Sequence, residues 1–409
     1  MANVTITTLA NIFEKDLDPM LRDLHINANK CPLVRAIKEG RNSGEGTTPF
    51  KNYISYVTVK HGKASNVRSQ ATGSTLPQGR NYTDQMSFQA RNINGSFQIE
   101  LQAVKSTEDR DGALVNAIMD QSKDMLERGQ LQMARQFNND NTGTVALVND
   151  ATPNSKTTVT IDGVRGQDIS HLVQAGDQLW IGDNTGSPFA ATVSSVDSAT
   201  QLTIAETTSG LSNNDAISFK DSYGSSAYQE KAGILGLVKT SGTLQGLALS
   251  TRQYLKGHVE TTSETISETR LLEYLGVADA NVVDASAYMV TMSNLWWKLV
   301  ALIKGTAQVN NNFPKHLFAG GAEGLQMFWF GGVTPIMRDP FCHTGNANGI
   351  DLHNVGYRQS YPFELVDDAK GLAHRVSTTL DYEIAASEFG QQYIRDPRSC
   401  FRLENKTTS

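Results

Sequence analysis

Four residues in the last quarter of the chain carry side chains that can do chemistry: Asp339, Cys342, His343 and His353, within GGVTPIMRDPFCHTGNANGIDLHNVGY. A thiol beside an imidazole is the pairing of a cysteine nucleophile with its base, and Cys, His and Asp together also form a metal-ligand set. The spacing argues against both. Cys342 and His343 are consecutive, so in a strand they point to opposite faces. No HExxH, GxSxG or GxxxxGK[ST] occurs, and the carboxylates are scattered through the sequence. A β-rich hydrolase is therefore the least favoured function, and no catalytic, cofactor-binding or metal residue is assigned. The three cysteines, Cys31, Cys342 and Cys400, are odd in number and lack CxxC spacing, which suits a reducing cytoplasm.

The elements that hold these residues belong to a chain of 409 residues, long enough for two or three domains and a sizeable core without metal or disulfide staples. The formal net charge is −6 with no long basic run, so tight tracking of DNA phosphates over a large face is not expected. The N-terminus MANVTITTLANIFEKD has neither a basic leader nor an apolar block, and the most apolar segment, NLWWKLVALI, is short and interrupted by Lys298. Neither a secretory signal nor a membrane span is expected.

One long helix is expected over residues 106–143. Ser106 and Thr107 can cap it, Glu108 and Asp109 suit its first turn, and Asn138, Asn139, Asp140 and Gly143 supply the stop. At 100° per residue Leu114, Val115, Ile118, Met119, Met125, Leu126, Met133 and Phe137 fall on one side, and Asp120, Lys123, Asp124, Glu127 and Arg128 on the other. About thirty residues at roughly 1.5 Å each make a rod of about 45 Å, longer than a compact domain usually needs. Gly129 interrupts the apolar stripe, which marks a place where something approaches the backbone closely. Two readings follow: a helix covering a sheet, or a strut whose polar face lies along a neighbouring subunit.

Residues 52–60 and 95–104 read as strands, the second with Phe97, Ile99, Leu101 and Ala103 in strict alternation. Between them residues 61–84 show no periodicity and carry Lys63, Arg68 and Arg80 against Asp84. A loop of that length is either functional or disordered, and a positively biased one is ordered by an acidic partner. The run NINGS at 92–96 signals a hairpin or a bulge. Residues 151–221 then change character. Five short alternating runs, each followed by Gly, Asn, Asp or Ser, suggest a small barrel or sandwich spliced into a larger domain. Further on, SETISETRLLEYLG reads as a capped helix ending at Gly276. A strand follows, ending near Met292, and then a helix capped by Ser293 or Asn294 whose Trp296, Trp297, Leu299, Val300 and Ile303 pack the core.

Four blocks, in order, resemble the major capsid protein of a tailed bacteriophage, the fold first described in the Hong Kong phage and shared by encapsulins and herpesvirus shell floors. KSTEDRDGALVNAIMDQSKDMLERGQLQMARQF with NDNTGTVALV is similar to that family's spine helix and the turn after it. GILGLVKTSGTLQGLALSTRQYLKG, leading to Tyr254, resembles its glycine-punctuated run. AYMVTMSNLWWKLVALI is similar to the strand and helix of its axial domain, and GGVTPIMRDPFCHTGNANGIDLHNVGY to the strand, turn and strand near that domain's end.

The resemblance implies an α+β capsid fold. It divides the chain into an N-terminal arm (1–51), an extended β-hairpin loop (52–105), a peripheral domain with the spine helix (106–150), an inserted small β-barrel-like domain (151–221), an axial domain (222–375), and a return to the peripheral domain with a C-terminal tail (376–409). The implied function is a self-assembling icosahedral shell of pentamers and hexamers around double-stranded DNA, assembled in the host bacterial cytoplasm. Portal, scaffold and decoration proteins are the further partners; no membrane and no cofactor is implied. An encapsulin-like cargo compartment is the alternative. Expected interface residues are Phe13 and Leu17 of an arm anchored by Leu9, Ile12, Leu21 and Leu24, Lys63, Arg68 and Arg80 of the loop, and Asp120, Lys123, Asp124, Glu127 and Arg128 of the helix.

Overall fold

The structure, a computed structural model, describes residues 31–39, 44–45, 53–60, 83–99, 111–163, 172–182, 188–220, 222, 230–282, 287–307, 325–329, 332–366, 373–375 and 382–408. Of residues 111–120 the backbone alone is described. Helix α1 (Pro32–Glu39) opens this part of the chain, with proline at the first helical position, where its missing N–H costs nothing, and with Leu33, Val34 and Ile37 buried on one face. Strands β1 (Ile54–Lys60) and β2 (Thr83–Gln89) form an antiparallel hairpin in register from Ile54 opposite Gln89 to Lys60 opposite Thr83. Val57, Val59, Met86 and Phe88 are its buried residues.

Strand β3 (Arg91–Ile99) runs straight through the Asn-Gly pair, so no hairpin forms at 92–96. The glycine serves packing instead. A Cβ on Gly95 would lie 2.9 Å from Met125 Cγ on the helix that crosses the strand.

That helix is α2 (Asp111–Asn138), 28 residues and about 42 Å long at roughly 1.5 Å per residue. Its proposed cap at Ser106 and Thr107 lies outside the described residues. Its end follows local chemistry. Asn141 and Gly143 adopt positive φ (80° and 79°), and the Asp140 carboxylate accepts from Thr142 N (3.1 Å) and Thr142 Oγ1 (2.7 Å), which turns the chain out of the helical path. Gly129 admits the ring of Phe363, whose nearest carbon would stand 3.3 Å from a Cβ at that position. The break in the apolar stripe is thus filled by an aromatic residue from a distant strand.

Six strands then close a barrel: β4 (Thr144–Val148), β5 (Thr158–Gly163), β6 (Gln178–Ile181), β7 (Phe189–Ser198), β8 (Gln201–Ile204) and β9 (Ala216–Phe219), in the order β9-β4-β5-β8-β7-β6. Alternation puts Val145, Val159, Ile161, Leu179, Ile181, Val193, Leu202, Ile204 and Ile217 into one interior cluster. The barrel begins at Thr144, ahead of the expected 151, because β4 pairs with both β5 and β9.

Most of the remaining elements build two larger sheets. Strand β10 (His258–Glu260), helix α3 (Glu268–Asp279), strand β11 (Tyr288–Met292), helix α4 (Leu295–Ala307) and strands β12 (Leu325–Trp329), β13 (Gly332–Arg338) and β14 (Ala347–Asp351) are followed by β15 (Val355–Leu365), β16 (Ala373–Arg375), β17 (Tyr382–Ile394) and β18 (Phe401–Leu403). One sheet has the order β10-β18-β14-β11-β13-β12. In the other, β17 pairs with β15 and β16, and also with β3. Tyr288, Val290 and Met292 on one face of β11 cluster with Leu271, Leu275 and Ala278 of α3 and with Leu295, Trp296 and Leu299 of α4, whereas Met289 joins the main core on the other face.

Two expectations are corrected here. Helix α3 does not stop at Gly276 but continues to Asp279, because Leu271, Leu275 and Ala278 recur at helical spacing and bury its face past the glycine; Ser267 caps its start by accepting from Arg270 N. Trp297 does not pack the core: it is 53% exposed while Trp296 is 4% exposed, since consecutive helical residues point about 100° apart. Trp297 stacks edge-on against Trp296 and lies under the Arg338 guanidinium, 5.4 Å from the ring centre.

Candidate functional site: the long helix, its polar anchors and the exposed surfaces

The C-terminal half of α2 carries polar contacts to the barrel, to the turn between β13 and β14 and to Glu230. Arg135 is fully buried and donates to Glu230 and to Gln132 Oε1, with its guanidinium 5.8 Å from the centre of the Phe219 ring on the barrel. Asn138 Nδ2 donates to Asp339 Oδ2 (3.1 Å), and His343 Nε2 lies 2.6 Å from Asn139 Oδ1. Beneath the helix Lys231, also fully buried, donates to the carbonyls of Arg91 (2.8 Å) and Gly390 (3.1 Å), and burial pushes its pKa down to about 8. Buried Glu388 accepts from Lys38 of α1 (3.0 Å) and from Tyr357 (3.0 Å). Buried charges are tolerated only when paired or hydrogen-bonded, and breaking one such pair costs more than a surface pair contributes. These contacts therefore hold the helix, the barrel and both sheets in one mutual geometry.

The four residues considered first for chemistry fall into this framework. Asp339, Cys342 and His343 are buried in the turn between β13 and β14, not in a strand. Burial raises the Asp339 carboxyl to about 6, against the opposing hydrogen bonds from Phe341 N and Asn138. Burial also lifts the Cys342 thiol well above its ordinary value and Cys400 to about 12. A buried, protonated thiol is a poor nucleophile. His353 stands apart, its backbone N donating to Asp351 Oδ1 (2.9 Å). Among the described residues no group of three or more His, Cys, Asp or Glu side chains is placed to hold a metal ion, and no helix is long and apolar enough to cross a membrane.

Of the expected interface residues, Lys123, Asp124 and Glu127 form an exposed charged row along α2. Arg128 leaves that row and pairs with Asp177 at the barrel entrance of the same chain. The side chain of Asp120 and all of Phe13, Leu17, Lys63, Arg68 and Arg80 lie outside the described residues, as do Leu9, Ile12, Leu21 and Leu24. The base of the β1–β2 hairpin is fastened to its own body: Asp84 accepts from Arg252 Nε (2.7 Å) and from the Tyr254 hydroxyl, Ser87 N donates to Gln245 O (2.9 Å), and Arg358 donates to Ser55. Sequence reasoning missed these anchors, although Met86 and Phe88 alternating with Gln85, Ser87 and Gln89 was a legible strand signal. It also missed the large exposed apolar side chains Tyr53, Tyr56, Leu272 and Val277, which stand on the surface with Trp297.

No protein-family model and no curated protein sequence matches the chain. Its structure is similar to solved capsid structures. A chain of the Cyanophage A-1(L) capsid asymmetric unit aligns with a TM-score of 0.54 at 12% identity, covering 93% of this chain and 95% of that one. A chain of the native GTA particle capsid aligns at 0.44 with 8% identity, over 91% of this chain and 90% of that one. One from the satellite phage P4 procapsid, which includes a size determination protein, aligns at 0.42 with 9% identity, over 100% and 93%. The cyanophage likeness runs through both chains almost end to end, and on it this protein has the fold found in that capsid, the fold implied by the order of its own sequence blocks.

Proposed function

We propose that this protein is a structural subunit that assembles with many copies of itself into a closed shell around double-stranded DNA. The observation that carries the reading is the whole-chain likeness to the cyanophage capsid chain. In this reading α2 is the strut of a peripheral domain, the exposed row Lys123, Asp124 and Glu127 faces a neighbouring subunit, and the loop between β1 and β2 reaches across it. The barrel is a module set into the peripheral domain. This is supported by its chain ends, since Thr144 and Ser218 are directly opposed partners in β4 and β9, so that entry and exit are adjacent. A net charge of −6 suits a wall that must not hold packaged DNA tightly. Pentamers and hexamers, assembly in a host bacterial cytoplasm, and portal, scaffold and decoration proteins as partners complete the proposal.

Negative-stain imaging of the purified chain, alone and with crowding agents, tests it. Closed shells, rings of five or six, or sheets are expected; a chain that stays strictly monomeric overturns the reading. Particles recovered from the producing cell should contain nuclease-protected DNA. An enzyme cargo in its place would make the shell a compartment rather than a genome container.

A further inference from the structure

Trp297 forms a knob in a small basic patch. Its indole stands out from the start of α4 against Trp296, and the exposed guanidinium of Arg338 lies 5.4 Å from its ring centre. Arg338 makes no ion pair among the described residues, Lys298 follows Trp297 in the chain, and α4 contains no carboxylate. A large aromatic ring left in water beside an arginine has the composition of the few residues that dominate binding between proteins.

The outer face of α3 has the complementary shape and charge. Leu271, Leu275 and Ala278 bury the inner face, which leaves Gly276 outside, with the exposed Leu272 about 40° to one side of it and the exposed Val277 about 100° to the other. Nothing lies within 4 Å of a Cβ placed on Gly276, so the face carries a dent between two apolar walls. The helix also bears Glu268, Glu273 and Asp279 against Arg270. Glu273 is held by Arg270 (2.6 Å), whereas Glu268 and Asp279 make no ion pair among the described residues. Both helices cover one face of the six-stranded sheet, α3 over β10 and β18 at one end and α4 over β13 near the other, with β14 and β11 between. One copy therefore presents both patches at separate places, and a contact between unlike patches joins copies head to tail, closing a ring where the rotation allows.

We propose that Trp297 and Arg338 of one copy dock on α3 of a second copy, with the indole seated over Gly276 between Leu272 and Val277 and the guanidinium facing the carboxylates of Glu268 and Asp279. Apolar shape fixes the seat, and the opposite charges fix which patch meets which. The contact rests on the reading that copies of this chain assemble, and it names the residues of one interface in that assembly.

Assembly of the full-length chain, followed by light scattering against protein concentration, tests it. Trp297→Ala should raise the concentration at half-assembly by at least about tenfold and leave the urea midpoint of the unassembled subunit where it is. Gly276→Gln fills the dent from a position with open space around it, so it should raise that midpoint, as expected for a glycine replaced inside a helix, and still weaken assembly by about tenfold or more. A purely structural glycine would give the firmer fold with unchanged assembly. Trp297→Cys and Gly276→Cys, prepared separately and then mixed, should be joined into dimers by a short bis-maleimide, and the two substitutions in one chain should give a ladder of longer products. The three native cysteines are buried and stay silent. Unchanged assembly of either Trp297→Ala or Gly276→Gln overturns the contact, as does cross-linking of Trp297→Cys to itself, which would mark a two-fold contact instead. The shell reading survives each of those results. Failure of the unsubstituted chain to assemble removes both.

Discussion

The segment just after Glu230 and Lys231 is pressed against the last turn of α2 more closely than any side chain allows, and Gly233→Ala measures how much the fold depends on that approach. A Cβ at Gly233 would stand 2.2 Å from Gln136 O, 2.4 Å from Phe137 O and 2.5 Å from Phe137 C. All three are backbone atoms, so no rotamer change relieves the overlap. The two segments must separate, and the bond from Gly233 N to Asn139 O (2.9 Å) stretches with them. Overpacking of a close contact costs about 1–3 kcal/mol. A lost backbone hydrogen bond adds about 0.5–1.5 kcal/mol. The expected destabilisation is therefore about 2–4 kcal/mol, a large part of a typical folding free energy of about 5–15 kcal/mol. Separation also disturbs the Arg135–Glu230 pair, since Glu230 lies three residues before the glycine. Urea unfolding of the unassembled subunit at one fixed protein concentration, followed by far-UV circular dichroism, reads the change as a lower midpoint with unchanged slope. A variant within about 0.5 kcal/mol of the parent would refute the reasoning, because surface substitutions without a packing role fall in that range.

Gly276 supplies the opposite case: nothing lies within 4 Å of a Cβ placed there, and the residue sits inside α3, so Gly276→Ala should stabilise the same subunit by about 0.5–1 kcal/mol in the same urea assay. Asp339 has a folded pKa raised to about 6 from 3.8, so its contribution is full below the unfolded value and is lost as pH rises through 6. Between pH 4 and pH 7 the parent should lose up to about 3 kcal/mol that Asp339→Asn does not lose, read as the difference between their pH–stability curves. Replacing residues 144–219 by a short linker should leave a cooperatively folded body, because the joined ends are adjacent; loss of its melting transition would show that the barrel is structurally required. Reversing Lys123 and Glu127 together should leave the urea midpoint within about 0.5 kcal/mol and slow or abolish particle formation by light scattering, whereas unchanged assembly removes that row from the interface.

Local patterns carry much of the architecture. The 3.6-residue recurrence of Met125, Met133 and Phe137 and the polar stop after Asn138 are visible along the chain, and the structure has a helix of 28 residues there. The short alternating runs between 158 and 219 become barrel strands because each needs only its own period of two and a turn residue. The strand ending at Met292 and the helix after it follow from the same kind of signal. Where a local rule met a tertiary demand, the tertiary demand won. The Asn-Gly at 94–95 reads as a turn but lies in a straight strand, since Gly95 leaves space for Met125. Gly276 reads as a stop but is bridged by a buried helical face.

From residue order alone came the elements, the absence of a recognisable catalytic motif, and the succession of blocks that resembles a capsid chain, because periodicity, capping and turn chemistry act over a few neighbours. Only the tertiary structure decided that β3 pairs with β17, that Arg135 finds Glu230 and that Arg128 turns to Asp177. Burial and charge pairing depend on which distant segments meet, and a one-dimensional pattern does not encode that meeting until the chain has closed around it.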